Sequence, residues 1–229
     1  MSWRFELVEK PYGGVTEGPI WDGSSLLFTH IPTSRIMAYD PEFEEISEVR
    51  TNTNHTNGLA YDSEGNLYGC CSGGRAIVRF NDDGSTTTIA DEVDGQKLNT
   101  PNDLAVDRRG SIWFTNPWNA GNIDASEVEE LDNRSVLMSE PNGDGTYNTS
   151  RVTFDTTMPN GILVSRDQKT LYVAESNSER LDIDRELRAY PIQDDGTLGD
   201  YFTLHTFGSD KGSVHRGICL LYTSDAADE

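Results

Sequence analysis

A short pattern occurs four times in this chain of 229 residues, and it constrains the fold more than any other feature. Each copy has an oxygen-bearing side chain, then Gly or Asp, an apolar strand, a turn and a second apolar strand. The copies begin at Glu17, Asn57, Asn102 and Asn160. Their intervals of 40, 45 and 58 residues suit four-stranded propeller blades with loop insertions. Because one blade cannot bury both faces of its sheet, we expect the copies to stack into one domain.

The remaining sequence also predicts an all-β fold. Short apolar runs, such as 26–30 (LLFTH), 76–80 (AIVRF) and 111–115 (SIWFT), alternate with Asp-Gly and Asn-Gly turn signals. Only residues 124–131 (DASEVEEL) show the pattern of a short helix, and the extra length of the third interval falls around them. Many short strands at this spacing indicate a sandwich, a barrel or a propeller. The repeat selects the propeller.

The composition excludes several classes of partner. The formal net charge is −21, and no cluster of Lys or Arg offsets it, so a nucleic acid is excluded as a partner whereas cations are attracted. No apolar run approaches the roughly 18 residues of a membrane helix. The first ten residues (MSWRFELVEK) carry four charges, which does not fit a secretory signal. We therefore predict a cytoplasmic protein with no membrane partner and no obligate protein partner.

The repeated residues predict a convergent site. In a propeller the first strand of each blade runs along the central channel, so Glu17, Asn57, Asn102 and Asn160 are expected at one mouth of that channel. One carboxylate with several amide oxygens suits Ca²⁺, which takes about 6 to 8 oxygen ligands shared among protein carboxylates, amides and waters. Zinc prefers His or Cys. The alternative, in which each Asn-Gly only forms a turn, stays open here, although each strand already has a hairpin turn at its other end.

These residues also carry a family resemblance. Residues 98–116 (LNTPNDLAVDRRGSIWFTN), with Glu-Gly-Pro at 17–19 and Pro-Asn-Gly at 159–161, resemble the senescence marker protein/gluconolactonase/luciferin-regenerating-enzyme-like family. The resemblance covers most of residues 15–218. It implies a six-bladed β-propeller that holds one divalent cation in its channel and opens the ring of a sugar lactone. Calcium is the favoured cation, with zinc, manganese and magnesium as alternatives.

The resemblance also implies roles for single residues. Glu17 and Asn160 match the family's metal ligands, and Asn102 matches a residue beside metal and substrate, which makes it the candidate catalytic residue of this chain. Asn57 is expected to line the channel, and Trp118 the substrate pocket. Asp103 has two alternatives: it supports the site, or it points into its own blade.

The end of the sequence departs from the family. After Ile218, relatives continue with a metal-binding Asp that is also the usual general base, whereas here Cys219 follows. Residues 219–229 (CLLYTSDAADE) break the repeat and resemble the translation of a common sequencing adapter. We therefore expect residues 1–218 to be an incomplete propeller domain of about four blades and a fragment, and residues 219–229 to be a non-native tail. Such an open ring exposes strand edges, so this chain as written is expected to fold poorly and to show little activity.

Two other functions remain open for the same pattern. One is a calcium-binding propeller without catalysis, and the other is a metal-free propeller enzyme of the strictosidine-synthase-like type. An activity that survives a chelator would favour the metal-free enzyme. A panel of lactones would separate the calcium-binding protein from a lactonase.

Overall fold

The computed structural model describes residues 13–177 and 185–208, and the regular secondary structure of these residues is β-strand apart from three short 3₁₀ turns. There are four antiparallel sheets of four strands each, and within every sheet the strands follow one another in chain order. No helix in this described part of the chain is long and apolar enough to cross a membrane. The all-β class and the propeller arrangement that the repeat predicts are confirmed, whereas the count of six blades stays a prediction.

The sheets are numbered in chain order, and one short hairpin separates the second from the third. The first sheet contains strands β1 to β4, at Thr16–Trp21, Leu26–His30, Arg35–Asp40 and Glu45–Arg50. The second contains β5 to β8, at Thr56–Tyr61, Leu67–Cys71, Ala76–Phe80 and Thr86–Ala90. The hairpin is formed by β9 and β10, at Glu92–Val93 and Gln96–Lys97. The third contains β11 to β14, at Leu104–Val106, Ile112–Asn116, Ser135–Pro141 and Tyr147–Arg151. The fourth contains β15 to β18, at Pro159–Val164, Thr170–Glu175, Arg185–Pro191 and Phe202–Gly208.

The first strands of successive sheets lie side by side. Strand β1 contacts β5, β5 contacts β11, and β11 contacts β15. These four strands are therefore the inner strands of four blades arranged around one axis. Each repeated residue lies at or just before the start of one of them.

The core lies between the blades. Between the first and second blades it includes Leu27, Ile36, Leu59 and Phe80. Between the second and third it includes Tyr68, Ile77, Phe114 and Leu137. Between the third and fourth it includes Trp113, Val136, Ile162 and Tyr190. Successive residues of a strand point to opposite faces, so Phe114 and Trp113 serve two different interfaces. Burying a large apolar side chain contributes about 1.5 to 3 kcal/mol, so each blade is stabilised chiefly by its neighbours.

Aspartates close the hairpins at the far end of the inner strands. Oδ1 of Asp22 accepts hydrogen bonds from the backbone N–H groups of Ser24 and Ser25, at 2.8 and 2.7 Å. Asp62 and Asp107 accept the equivalent bonds from the residues two positions later, at 2.9 and 2.8 Å. The turns that connect first and second strands are thus complete without the repeated Asn or Glu at the opposite end.

The helix predicted for residues 124–131 is wrong. A short 3₁₀ turn forms at Ala120–Asn122, and the chain continues without regular structure to β13. Asp124 accepts a hydrogen bond from the backbone N–H of Ser126, which competes with helix formation. The carboxylate of Glu127 binds Arg75 at 2.6 Å and Lys97 at 3.2 Å. Contacts to the second blade therefore override the local helical pattern.

Candidate functional site

The inner strands are irregular where the repeated residues stand. In β5 and β15 the strand register shifts across Asn57 and Asn160, and in β1 it shifts immediately after Glu17. Asn102 lies two residues before β11. A bulge bends its strand and turns a side chain away from the regular ladder. All four repeated residues are half-buried, as expected for side chains at the mouth of a channel.

Hydrogen bonds connect each repeated Asn to the preceding blade. In every case the acceptor is the backbone carbonyl of the repeated Asn. The bonds run from Thr29 Oγ1 to Asn57 O at 2.9 Å, from Gly58 N to Asn102 O at 2.8 Å, and from Thr115 Oγ1 to Asn160 O at 2.6 Å. Thr29 Oγ1 also lies 3.0 Å from the carbonyl oxygen of Glu17. The structure therefore brings the four residues into one ordered series around the axis.

The glycines of the repeat permit this close approach. Gly18 has a φ of +55°, and a Cβ atom there would lie 2.5 Å from the carbonyl oxygen of Asn57. A Cβ atom at Gly58 would lie 2.5 Å from Oδ1 of Asp103. Both Asn57 and Asn160 lie within strands and not in hairpin turns. The interpretation of these Asn-Gly pairs as simple turns is therefore wrong.

The side-chain amides of the site remain available to a ligand. Among the hydrogen bonds within residues 13–177 and 185–208, none involves the side-chain amide of Asn57, Asn102 or Asn160. Each amide can present an oxygen acceptor and two N–H donors. Together with the carboxylate of Glu17, the site offers groups that can bind a cation or a polar substrate.

Asp103 is part of this site and does not point into its own blade. Its Oδ2 accepts a hydrogen bond from the backbone N–H of Ile162 on β15 at 3.2 Å, and its Oδ1 accepts one from Leu104 N at 2.9 Å. Although part of the residue reaches solvent, its carboxyl group is enclosed by protein. This burial raises the pKa of Asp103 to about 7, and the negative charge of nearby Glu17 adds to the increase. Two carboxyl groups thus lie close together where a cation would be favourable.

The donor set fits a hard cation. Within the described ranges, no three His, Cys, Asp or Glu side chains are grouped so as to hold a metal ion. A cation at the repeated residues would therefore take amide oxygens in addition to the carboxylate of Glu17. Calcium accepts such mixed oxygen shells, whereas zinc favours nitrogen and sulfur. The residues present fit the ion that the sequence predicts.

Trp118 follows β12 of the third blade and contacts the second blade. Its ring lies 5.4 Å from the guanidinium carbon of Arg75, in a cation–π contact. The loop that carries it is fixed by Thr100, whose N–H and Oγ1 both donate to the carbonyl of Pro117, at 2.9 and 2.8 Å. Thr100 is two residues before Asn102, so this loop is anchored beside the site. A role for Trp118 in a substrate pocket stays a prediction.

The structure adds residues to the candidate site that were not identified from the sequence. Thr29 and Thr115 are each the fourth residue of their strand, β2 (LLFTH) and β12 (IWFTN), and this repetition is a signal that could have identified them. Glu175, described below, has no counterpart in the other copies and gave no signal. The Asp expected after Ile218 and the tail at 219–229 lie outside the described residues.

Fold and candidate site together define a β-propeller arrangement whose neighbouring inner strands carry an oxygen-bearing side chain at equivalent positions. The chain belongs to the SMP-30/Gluconolactonase/LRE-like family, whose sequence profile matches residues 15–218. This membership confirms the resemblance that the three motifs indicate.

Particular relatives are similar over most of the chain. A gluconolactonase of Zymomonas mobilis is 28% identical over 181 residues, which are 72% of this chain and 49% of that protein. A solved structure of a gluconolactonase from Xanthomonas campestris superposes with a TM-score of 0.73 at 31% identity, covering 88% of this chain and 65% of that one. The Arabidopsis thaliana protein strictosidine synthase-like 13 is 31% identical over 133 residues, or 54% of this chain and 31% of that protein. The chain thus spans about half the length of the Zymomonas relative.

Proposed function

We propose that the protein to which this chain belongs is a divalent-metal-dependent hydrolase that opens the ring of a sugar lactone. The observation that carries the proposal is the series of Glu17, Asn102 and Asn160 at equivalent inner-strand positions, held there by hydrogen bonds between blades. The similarity to two gluconolactonases supports the lactone as substrate class. Family membership supports hydrolysis on this fold.

Glu17, Asn160 and Asn102 would hold the cation, with calcium preferred for its oxygen ligands. When bound, such an ion polarises a carbonyl group and stabilises the negative charge that develops on its oxygen. Glu17 contributes the negative charge that draws a cation to this mouth of the channel. Asp103 adds to this negative potential once its own proton has been lost.

The remaining residues bind and orient the substrate. Asn102 and Asn57 can donate amide N–H groups to the hydroxyl oxygens of a sugar lactone, or accept hydrogen bonds from those hydroxyls. A water molecule adds to the lactone carbonyl, the ring C–O bond breaks, and the ring oxygen takes a proton to give the open hydroxy acid. The general base that removes the water's proton is assigned to the Asp expected after Ile218.

The experiment measures lactone hydrolysis and calcium binding by the complete gene product. We expect a chelator to abolish hydrolysis and calcium to restore it. Glu17→Gln should weaken calcium binding by at least about tenfold, because the charge of the ligands sets calcium affinity. Glu45→Gln, an exposed carboxylate on β4 of the same blade, is the matched control and should bind calcium as the wild type does.

The same experiment separates the two other functions. Calcium binding without hydrolysis of any lactone in the panel would indicate a calcium-binding propeller and overturn the enzyme. Hydrolysis that a chelator does not change would favour a metal-free propeller enzyme, for which the similarity to the strictosidine synthase-like protein is the specific support.

A further inference from the structure

A buried carboxylate holds the chain just before the strand that carries Asn160. Glu175 is the last residue of β16 and only 1% of its surface is exposed. Its Oε2 accepts the backbone N–H of Thr157 at 2.9 Å, and its Oε1 accepts the Thr157 hydroxyl at 2.8 Å and the backbone N–H of Met158 at 2.7 Å. Hydrogen bonds to an ionised group are roughly twice as strong as neutral ones, so this clamp is a strong one.

The contacts of Glu175 and its neighbours fix the backbone just before Asn160. Met158 is two residues before Asn160, and the backbone N–H of Ser176, next to Glu175, bonds to the carbonyl oxygen of Met158 at 3.1 Å. Asn177 adds a bond from its side-chain N–H to the hydroxyl of Thr157 at 2.9 Å. The end of β16 therefore holds residues 157 and 158 through both side-chain and backbone contacts.

Asn160 is also fixed at and after its own position. Its carbonyl accepts the hydroxyl of Thr115 at 2.6 Å, and the N–H of Ile162 bonds to Asp103 at 3.2 Å. The backbone is thus held on both sides of the bulge that presents the Asn160 side chain. A ligand that is held at three points of its backbone loses little conformational freedom when it binds an ion, which favours affinity.

Among the four described blades, the fourth differs from the others in the residue that ends its second strand. At the position of Glu175, the second strands of the other blades end in His30, Cys71 and Asn116, none of which is a carboxylate. The Arg188 guanidinium lies close enough to Glu175 for the two charges to interact. The direct hydrogen bonds of the Glu175 carboxylate are with residues 157 and 158, so the carboxylate acts on the site through the backbone that it holds.

We propose that Glu175 is a positioning residue for Asn160: its buried carboxylate fixes residues 157 and 158, so that the Asn160 amide is presented to a divalent cation at the channel mouth. This inference rests on the proposed metal-dependent function. It assigns to Glu175 a role in ion affinity in addition to its role in the stability of the fold.

The test compares Glu175→Gln with the wild type, using the complete gene product and calcium alone as the probe. Gln has the same size, but it presents an N–H₂ group to backbone N–H donors and so breaks the clamp. We expect the calcium Kd, measured by calorimetry well below the unfolding temperature, to increase by about 10- to 100-fold, as for other residues that support metal ligands. Glu175→Asp should show a smaller increase, because the charge is kept.

Glu186→Gln is the matched control. Glu186 lies on β17 of the same blade, is paired with β16, and bonds to Arg188 at 2.8 Å without a contact to residues 157 and 158 in the part of the chain that the structure describes. The calcium Kd of the Glu186→Gln variant should equal that of the wild type. Should Glu175→Gln fail to fold, Thr157→Val removes the hydroxyl bonds to Glu175 at 2.8 Å and to Asn177 at 2.9 Å, keeps both backbone bonds to Glu175, and should still weaken calcium binding several-fold.

The outcomes separate this inference from the proposed function. A wild type that binds calcium, with a folded Glu175→Gln variant of equal Kd, overturns the positioning role and leaves the hydrolase proposal intact. A lower unfolding temperature without a change in Kd would make Glu175 purely structural. A wild type that binds no divalent cation would refute the metal-dependent function, and with it the role assigned to Glu175.

Discussion

The second residue of the repeat shows how one side chain can depend on the lack of another. In the first, second and fourth copies this residue is Gly, and in the third copy it is Asp103. A Cβ atom on Gly58 would lie 2.5 Å from Asp103 Oδ1, so the carboxyl group of Asp103 uses space that the neighbouring glycine leaves open. From there it reaches the backbone of Ile162 in the next blade. One carboxylate thus connects three inner strands at the level of the candidate site.

The raised pKa of Asp103 predicts a particular pH dependence of stability. With a pKa of about 7 in the folded protein, it binds more protons than in the unfolded chain at any pH between about 4 and 7. The contribution of Asp103 to the free energy of unfolding should therefore fall as the pH rises through this window. Asp103→Asn cannot titrate, so the stability difference between wild type and variant should change with pH there and level off above it. Urea denaturation in the presence of a chelator measures this, and parallel curves for the two proteins would contradict it.

At the scale of elements, the strands could be predicted because their signals are local. Residues 26–30 and 76–80 match β2 and β7, and 111–115 differs from β12 by one residue, since turn residues bound each run on both sides. The candidate site residues Glu17, Asn102 and Asn160 stand out in the sequence because they recur at one position of the repeat, and their roles stay predictions. Glu175 was not, because its partners lie 17 and 18 residues earlier and nothing in the sequence marks the pair. The prediction of a helix at 124–131 is wrong for the same reason, since Glu127 binds Arg75 of the second blade and Lys97 of the β9–β10 hairpin.

The segment 117–134, here called the strap, depends on those ion pairs. Its Glu127 binds the buried Arg75 at 2.6 Å and the exposed Lys97 at 3.2 Å. Hydrogen bonds from Arg75 and Lys97 lower the pKa of Glu127. The stabilising contribution of Glu127 is therefore present above its ordinary pKa and is lost as the pH falls below it.

Glu127→Gln should loosen the strap without unfolding the blades. We expect hydrogen exchange of the backbone amides in residues 119–133 to become several-fold faster near neutral pH, because less of the buried charge of Arg75 is then compensated. The strands β11 to β14 should exchange as before. Glu92→Gln, an exposed change on the neighbouring hairpin, is the control. Unchanged exchange in the strap would show that its apolar anchors, such as the buried Leu131, hold it without the ion pair.

For the molecule as a whole, a net charge of −21 makes cations favourable for two different reasons. Like charges on the surface repel one another, and any salt reduces this repulsion over a Debye length of about 10 Å at 0.1 M. A bound ion at the candidate site would stabilise the fold by mass action, which contributes about 2.7 kcal/mol when the ion is at 100 times its Kd. Screening depends on ionic strength alone, whereas site binding depends on the identity of the ion.

Calcium and sodium chloride at equal ionic strength should therefore separate the two effects in the complete gene product. We expect both salts to raise the unfolding temperature of the wild type, and calcium to raise it further. Asn160→Leu removes one proposed ligand and leaves the net charge unchanged, so it should keep the gain from sodium and lose most of the additional gain from calcium. Thermal unfolding of both proteins in both salts measures this. An equal additional gain in wild type and variant would place the calcium effect elsewhere on the acidic surface, because a site that includes Asn160 cannot bind calcium equally well without its amide oxygen.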